Sequence, residues 1–429
     1  MTDIRPIPAT GRTLGGLDFF LLWAGVGISL AEIWAGGFLT PMGLWAGLAA
    51  IVLGHVIGNT FMALGGVIGS DQGIMSMVSI RPAFGIRGSN LAAVLNIIQL
   101  IGWAAVMLII GGRAGAMLGR SMGGLMASNH FWIVAIGLVT LVWAHFTGGS
   151  IWKILQKVAV IGLLVLVLLM SWVSLGEFGR GAMAVQPGRM PFMIGLDLVI
   201  AMPISWMPLV SDYARFAKSS RPAFWASWWG YFLISSWMYA LGLMATLVTA
   251  ETDPGGLILR IMGTIGLAAP ALALAVFSTI TSTFPDVYSA ACSAVNISQR
   301  LSTRAVLWGV GVIAIALALI FPMEHYEYFL LFIGSMFVPL FGVVLTDYFI
   351  CRKRRLDLDA VFERGGRYWY SGGFHIPALI AWALGFLLFQ GIAWMKWPIG
   401  GSIPALVLAG AAYYILFRTG HRWSGASVQ

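Results

Sequence analysis

Two carboxylic acids lie inside long apolar stretches of this sequence. Glu32 has a pair of glycines on each side, the first ending at Gly27 and the second beginning at Gly36, and Asp286 follows a stretch rich in hydroxyl groups. A charge at the centre of a lipid bilayer costs ~3 kcal/mol. If these stretches cross a membrane, each acid must face a cavity or carry a proton. The alternative for Glu32 is a hydrogen bond to a neighbouring helix that packs on a glycine face.

The hydroxyl-rich stretch before Asp286 can supply ligands for a cation. Ser278, Thr281 and Ser282 have the spacing that places three side chains on one face of a helix. A row of neutral oxygens opposite the free carbonyls of an unwound helix suits a small hard cation such as Na⁺. The alternative is that each hydroxyl donates to a carbonyl of its own preceding turn.

The elements that position these residues are predicted to be transmembrane helices. Of the 429 residues 59% are apolar and 10% charged, whereas a soluble domain has about 25% charged residues. A soluble protein is therefore excluded, and we predict an all-α polytopic membrane protein of about twelve helices. The predicted segments are 17–43, 45–69, 91–118, 130–147, 151–176, 192–213, 222–250, 268–297, 303–322, 327–350, 375–395 and 399–418.

The basic residues predict the orientation of these segments. With a cytoplasmic N-terminus, 19 of the 25 Lys and Arg residues fall on the inner side, as positive-inside asymmetry requires. We therefore expect a multi-pass protein of the inner (plasma) membrane with both termini in the cytoplasm. The net charge of +9 is attributed to these loops, so we expect membrane lipid, and not nucleic acid, as a partner.

Glycines and prolines predict two broken helices, the first and the sixth. The sixth segment carries Pro203 and Pro208, which lack amide donors and clash with preceding carbonyls, so a discontinuity is predicted near 202–206; a simple kink is the alternative. Interrupted helices five segments apart are typical of inverted repeats that hold substrate and ion at the membrane midplane.

The predicted organisation is a ten-helix transport core with peripheral additions. Its parts are a cytoplasmic N-terminal segment (1–16), the core (17–350, with repeats of about 17–176 and 192–350), a cytoplasmic loop (351–374), peripheral helices 11 and 12 (375–418) and a cytoplasmic tail (419–429).

Five motifs, taken together in this order and spacing, resemble the nucleobase:cation symporter-1 family. They are WAGG at 34–37, LGHVIGN at 53–59, RPAFGIRGS at 81–89, GW at 102–103 and SDYARF at 211–216. Cytosine, allantoin, uracil and hydantoin permeases belong to that family. The resemblance implies a LeuT-type fold with a five-plus-five inverted repeat. Residues 28–33 and 284–290 are most similar to the branch of hydroxymethylpyrimidine permeases, which serve thiamine salvage.

The resemblance also implies a cation site. Carried over position by position, it uses backbone carbonyls near Gly25 and Ile28 and the polar groups of Ser278, Thr281 and Ser282. Na⁺ is the expected coupling ion, with H⁺ as the alternative.

Four further positions correspond to the family's substrate site. The stacking tryptophan of the third segment falls on Trp103, with Gln99 one turn earlier where the family has a glutamine close by. The aromatic residue of the sixth segment aligns with Pro203, and the nearest aromatic residue is Trp206. An asparagine of the eighth segment aligns with Thr283.

Glu32 and Asp286 are predicted to recognise the edge of an aminopyrimidine. A protonated carboxyl offers one donor and one acceptor, and an aminopyrimidine presents the complement in its exocyclic amine and ring nitrogen. The glycines beside Glu32 expose backbone and make room for a ligand, which favours Glu32. The alternatives are a proton-coupling role for one acid or a structural bond to a backbone amide.

The function predicted on these grounds is cation-coupled import of a nucleobase-like heterocycle, hydroxymethylpyrimidine in the first instance, by alternating access. Cytosine or purine, and allantoin or hydantoin, are the alternative substrates within the family. A membrane-embedded enzyme or a channel is the alternative of another class; the sequence has no His/Glu metal motif and no repeated filter motif. His55, His145 and His325 are scattered and are interpreted as packing or interface residues. No cofactor other than the coupling ion and no obligate protein partner is expected.

Overall fold

The computed structural model describes residues 5–145, 150–179, 188–298, 300–322 and 325–423. Its secondary structure consists of helices, and the helices that correspond to the predicted segments are numbered by those segments. They are α1a (Gly16–Gly27), α1b (Leu30–Gly37), α2 (Leu44–Gln72), α3 (Gly88–Gly119), α4 (Asn129–His145), α5 (Ser150–Gly179), α6a (Phe192–Ser205), α6b (Met207–Ala214), α7 (Ser220–Thr249), α8 (Ala268–Ile297), α9 (Thr303–Ile320), α10 (Tyr326–Leu345), α11 (Ile376–Trp394) and α12 (Ser402–Trp423).

Most of these helices are long and apolar enough to cross a membrane. In the described residues ten helical segments meet that description, the bent α1 pair adds an eleventh, and α4 is a shorter apolar helix. Each of the twelve predicted segments coincides with one helix or one interrupted pair, and the all-helical prediction is confirmed. The last two residues of the fourth predicted segment and most of the predicted tail lie outside the described residues.

The first segment is sharply bent between α1a and α1b. The two parts differ in direction by 58°, and Ser29 between them is extended, with φ −142° and ψ 142°. The Ser29 hydroxyl accepts a hydrogen bond from the Ala31 amide (3.3 Å) and so caps α1b. The bend lies within the glycine-flanked stretch and directly precedes Glu32.

The interruption of the sixth segment is narrower than predicted. Trp206 alone separates α6a from α6b, and the two parts together form one span, 192–214. The Trp206 amide donates to the Pro203 carbonyl (3.2 Å), and Gln99 Nε2 donates to the Ser205 carbonyl (2.9 Å). Because these bonds satisfy groups at the break, the chain passes through it with a kink and no unwound segment.

The helices form two packed groups around a central cavity. In the first group α1, α2, α6 and α7 pack against one another, and in the second α3, α4, α8 and α9 do so. Helix α5 contacts both groups, α10 packs on α6a, and α11 and α12 pack on α10 and on each other. Because the main contacts of α11 and α12 are with α10 and with each other, these two helices lie at the periphery.

Two glycines bring α1b and α7 into direct backbone contact. A Cβ atom on Gly36 would overlap the Tyr239 carbonyl, and one on Gly242 would overlap the Ile33 carbonyl. Glycine is therefore required on each helix where it meets the other.

The segments predicted to be cytoplasmic lie together on one face. Leu14 pairs with the chain at 216–218, and Arg12 donates to the Ser70 carbonyl (2.9 Å) at the end of α2. Residues of the 351–374 loop build a small separate core with the turn after α2, and its members are Ile74, Val78, Ala360, Val361 and Tyr368.

Candidate substrate and cation site

A cavity of about 660 Å³ lies between the two helix groups. The first group contributes α1 and α6 to its wall, and the second contributes α3 and α8. The cavity brings together nine of the eleven residues predicted for the site: Gly25, Ile28, Glu32, Trp103, Trp206, Ser278, Thr281, Ser282 and Asp286. Residues distant in sequence therefore share one enclosure at the bend of α1.

Glu32 is buried, and both of its oxygens are hydrogen-bonded to side chains of α7. Tyr231 donates to Oε1 (2.5 Å), and Ser235 lies 2.7 Å from Oε2. Only 2% of Glu32 is exposed. The carboxyl lines the cavity, but its partners are protein groups.

The hydrogen bonds of Glu32 extend in both directions. Trp206 Nε1 donates to the Tyr231 hydroxyl (2.9 Å), which connects Glu32 to the interruption of α6. On the other side, His55 Nε2 lies 2.6 Å from the Ser235 hydroxyl, and His55 Nδ1 lies 2.8 Å from the Ile51 carbonyl. Five side chains from α1, α2, α6 and α7 thus form one chain.

Asp286 differs from Glu32 in its surroundings. It is 7% exposed and lines the cavity from α8, and no hydrogen bond to its carboxylate is found within the part of the chain that the structure describes. The preceding residue is Pro285, which has no amide proton to donate to the backbone hydrogen bonds of α8. Asp286 is therefore the acid whose carboxyl is open to a ligand.

The two tryptophans of the cavity pack against different aromatic neighbours. Trp103 packs edge-on against Phe329 and Tyr326, with ring centroids 5.5 Å and 5.9 Å away. Trp206 meets Trp23 edge-on at 6.1 Å. Both rings lie on the cavity wall and offer a surface for stacking.

The hydroxyl row of α8 bonds to its own helix. Thr281 and Ser282 both donate to the Ser278 carbonyl, at 2.8 Å and 3.0 Å. This is the back-bonded alternative, but it consumes only the hydroxyl protons. The oxygen lone pairs remain, and the row shares the cavity with residues 25–28.

Gln99 and Thr283 do not line this cavity. Gln99 bonds to Asn96 (2.9 Å) and to the Ser205 carbonyl, and it borders a smaller apolar cavity of about 150 Å³. Thr283 is 1% exposed and donates to the Thr279 carbonyl (2.7 Å). Both side chains therefore serve the packing of α3 and α8 in this conformation.

A cluster of aromatic rings packs behind the cavity wall, where Tyr326 meets Trp103. Trp34 of α1b stacks on Tyr326 of α10 with centroids 4.4 Å apart, and Phe38 packs on the same ring at 5.6 Å. In the other direction the wall continues to Leu21 and Tyr288, toward the face that carries the N-terminal segment.

The partners of Glu32 are not among the residues predicted for the site. His55 is predicted to be a packing or interface residue, and no role is predicted for Tyr231 or Ser235. The signal was present in α7, where Tyr231, Ser235 and Tyr239 recur every fourth residue and so form a polar stripe along an apolar helix.

Comparisons with known proteins agree with this architecture. Residues 6–415 match the family described as permeases for cytosine/purines, uracil, thiamine and allantoin. The allantoin permease of Bacillus subtilis is 25% identical over 74% of this chain and 71% of its own length. The cytosine permease of Escherichia coli K12 is 25% identical over 80% and 76%, and the hydantoin permease of Microbacterium maritypicum is 27% identical over 73% and 68%.

Among solved structures, the inward-facing conformation of Mhp1 has a TM-score of 0.84 at 20% identity and covers 98% of this chain and 93% of Mhp1. The closed conformation of Mhp1, a nucleobase-cation-symport-1 family transporter with bromovinylhydantoin bound, has a TM-score of 0.83. This likeness confirms the predicted LeuT-type fold. The chain belongs to the family of permeases for cytosine/purines, uracil, thiamine and allantoin, and it is a multi-pass membrane transporter and not an enzyme.

Proposed function

We propose that this protein is a cation-coupled symporter of the plasma membrane that imports an aminopyrimidine, hydroxymethylpyrimidine in particular, by alternating access. The observation that carries the proposal is the carboxyl of Asp286, which has no hydrogen-bond partner among the described residues and lies in a cavity that also holds Trp103 and Trp206. The family description includes thiamine, and cytosine, which a relative transports, is an aminopyrimidine.

Asp286 supplies the edge recognition in this proposal. In its protonated form the carboxyl makes two parallel bonds, one to a ring nitrogen and one from the exocyclic amine. The oxygens of Glu32 already bond to Tyr231 and Ser235. This supports Asp286, and not Glu32, as the acid that reads the ring edge.

Stacking holds the flat face of the ring. Trp103 approaches from α3 and Trp206 from α6, so the ring bridges the two helix groups whose relative movement opens and closes the cavity. A heterocycle loses little hydrogen bonding when its face lies on an indole, because its polar groups are at its edge.

Na⁺ is the proposed coupling ion. Gly25 and Ile28 line the same cavity as Ser278, Thr281 and Ser282, and the hydroxyl lone pairs of the last two are unused by the helix. Neutral oxygens of this kind are ligands for a hard cation. Deletion of one ligand weakens ion binding and, through linkage, substrate binding.

The cavity end near Leu21 is the proposed cytoplasmic exit, with both termini in the cytoplasm. The stack of Trp34 on Tyr326 then closes the outer side. This conformation corresponds to the release step of import.

Cytosine or purines, and allantoin or hydantoin, are the alternative substrates, and relatives that carry these names support them. A protonated carboxyl pairs with any edge that presents a donor beside an acceptor. Uracil, allantoin and hydantoin present an N–H beside a carbonyl, so the paired bonds alone do not distinguish them from an aminopyrimidine.

The test is uptake into proteoliposomes with an imposed Na⁺ gradient. Labelled hydroxymethylpyrimidine should accumulate, and unlabelled cytosine should compete. A pyrimidine that has neither the amine nor an N–H beside a carbonyl should compete weakly, and equal competition by it would contradict the edge assignment. Uptake that does not depend on Na⁺ would contradict the coupling ion.

A matched pair of variants on α8 tests Asp286. Asp286→Ala removes two bonds of ~1 kcal/mol each, so affinity should fall about thirtyfold. Thr283→Ala, a similar truncation almost one turn earlier and outside the cavity, should leave affinity unchanged. Equal affinity in the two variants would refute the role of Asp286.

A further inference from the structure

A buried chain of hydrogen bonds lies behind the cavity wall and is not needed to explain substrate or Na⁺ binding. It joins Trp206, Tyr231, Glu32, Ser235 and His55. His55, Ser235 and Tyr231 are fully buried. The other two members of the chain, Glu32 and Trp206, line the cavity. All five residues belong to the first helix group.

The direction of donation is fixed at both ends of this chain. The Ile51 carbonyl can only accept, so His55 Nδ1 carries a proton. The Trp206 indole can only donate, so the Tyr231 oxygen accepts from it and the Tyr231 proton goes to Glu32 Oε1. The protons that these two ends do not fix are those at Glu32 Oε2, Ser235 and His55 Nε2.

The Ser235 hydroxyl has one proton but two partners, Glu32 Oε2 at 2.7 Å and His55 Nε2 at 2.6 Å. It therefore donates to one and accepts from the other. Either Oε2–H donates to Ser235 and Ser235 donates to Nε2, or Nε2–H donates to Ser235 and Ser235 donates to Oε2. In both arrangements Glu32 and His55 share one proton, and their summed charge is zero.

Any other proton count is costly. Without the shared proton, a net negative charge is buried and the lone pairs of Oε2 and Nε2 compete for one hydroxyl proton. With a second proton, two donors point at Ser235 and a net positive charge is buried. An uncompensated buried charge destabilises a protein by several kcal/mol, so the one-proton state is favoured, and burial favours its uncharged arrangement.

The groups that face this pair do not supply a compensating charge. From α7 they are the phenols of Tyr231 and Tyr239, the second of which contacts the His55 ring edge-on at 5.1 Å. From α10 the phenol of Tyr326 lies 3.5 Å from the Ala31 carbonyl. Across the cavity, α8 presents Asp286.

We propose that Glu32, Ser235 and His55 form a binding site for one proton. The proton enters this site from the cavity through Glu32, and the site must be occupied before the cavity closes around its substrate. Closure removes water from Glu32 and so raises the cost of the deprotonated pair. The link to closure rests on the transport function proposed above; the proton site itself does not.

The proton site is tested on purified protein without any heterocycle. Infrared difference spectra are recorded over a titration from about pH 5 to about pH 9, a range in which histidine side chains and buried carboxyl groups in proteins lose their protons. The carbonyl band of a protonated carboxyl should disappear with loss of one proton. Glu32→Gln should lack this band, Ser235→Ala should shift its midpoint, and Asp286→Asn should retain it.

A band unchanged in Glu32→Gln, or a titration identical in Ser235→Ala and the parent, would overturn the proposal. The link to closure is tested by binding of hydroxymethylpyrimidine over the same pH range. Parent affinity should fall about tenfold per pH unit above the infrared midpoint.

Glu32→Gln donates an amide proton to Ser235 as the loaded site does, so its affinity should lack the fall that begins at the infrared midpoint of Glu32. Any pH dependence that remains in this variant belongs to Asp286. Affinity that is independent of pH in the parent would overturn the closure step. Absence of binding at every pH, with the infrared titration as expected, would refute the substrate assignment and leave the proton site intact.

Discussion

Replacement of Tyr231 by Phe is the most direct test of the buried hydrogen-bond chain. The change removes one hydroxyl and keeps the ring, so shape and apolar contacts are preserved. It breaks two bonds at once, the one accepted from Trp206 Nε1 (2.9 Å) and the one donated to Glu32 Oε1 (2.5 Å). Both former partners stay buried or nearly so.

The expected loss of stability follows from these two bonds. A hydrogen bond contributes ~1 kcal/mol net in proteins and ~0.6 kcal/mol on average, up to ~1.7 kcal/mol, in membrane proteins. Two bonds, one of them to a carboxyl, therefore amount to ~1–3 kcal/mol. Substrate affinity should also fall, because Trp206 loses the bond that fixes its indole on the cavity wall.

Tyr239→Phe is the matched control. Tyr239 lies two turns further along α7 and is equally buried, and its hydroxyl has no hydrogen-bond partner among the residues that the structure describes. Loss of that hydroxyl removes a desolvated polar group, so stability should be unchanged or higher. The assay is thermal unfolding of the two purified variants together with hydroxymethylpyrimidine binding. Equal effects of the two substitutions would refute the reasoning.

Three further substitutions have definite expected outcomes. Thr281→Ala should raise the Na⁺ concentration needed for half-maximal uptake while folded yield stays near that of the parent; an unchanged Na⁺ dependence would favour H⁺ coupling. Trp103→Ala should weaken substrate binding about tenfold or more and Trp103→Phe less, since loss of a base–aromatic stack costs ~1–3 kcal/mol; equal affinities by titration would assign Trp103 to packing. Gly242→Leu should abolish folded yield in size-exclusion chromatography, because the side chain collides with the Ile33 carbonyl, whereas Gly309→Leu, with no atom near its Cβ position, should be tolerated.

The helices and the bend of α1 could be predicted because their causes are local. A run of about twenty apolar residues has no stable state in a bilayer other than a helix, and glycines on both sides of Glu32 weaken the helix there. The form of the break in α6 was not predictable in this way. Gln99, from another helix, satisfies the Ser205 carbonyl at the break, and a contact of this kind cannot be read from the spacing of the prolines.

The surroundings of the two acids could not be predicted from spacing either. Glu32 and Ser235 are 203 residues apart, and their contact depends on how α1b docks on α7. Likewise Thr283 and Asp286 are neighbours on one helix, but α8 directs Asp286 to the cavity and Thr283 to its own backbone. Which face of a helix meets the cavity is decided by packing between helices.

The glycine contact between α1b and α7 fixes the distance between these two helices. Because backbone meets backbone at Gly36 and Gly242, the two helices have no side-chain layer through which to slide. Spin labels at Pro41, just after α1b, and at the exposed Thr252, just after α7, should report one constant distance throughout a transport cycle. Tyr326 of α10 contacts α1b through the Trp34 ring and the Ala31 carbonyl. Labels at Pro41 and at the exposed Tyr328 of α10 should report two distances. The constant pair calibrates the variable one within the same molecule, so that distance changes from transport can be separated from general loosening in detergent.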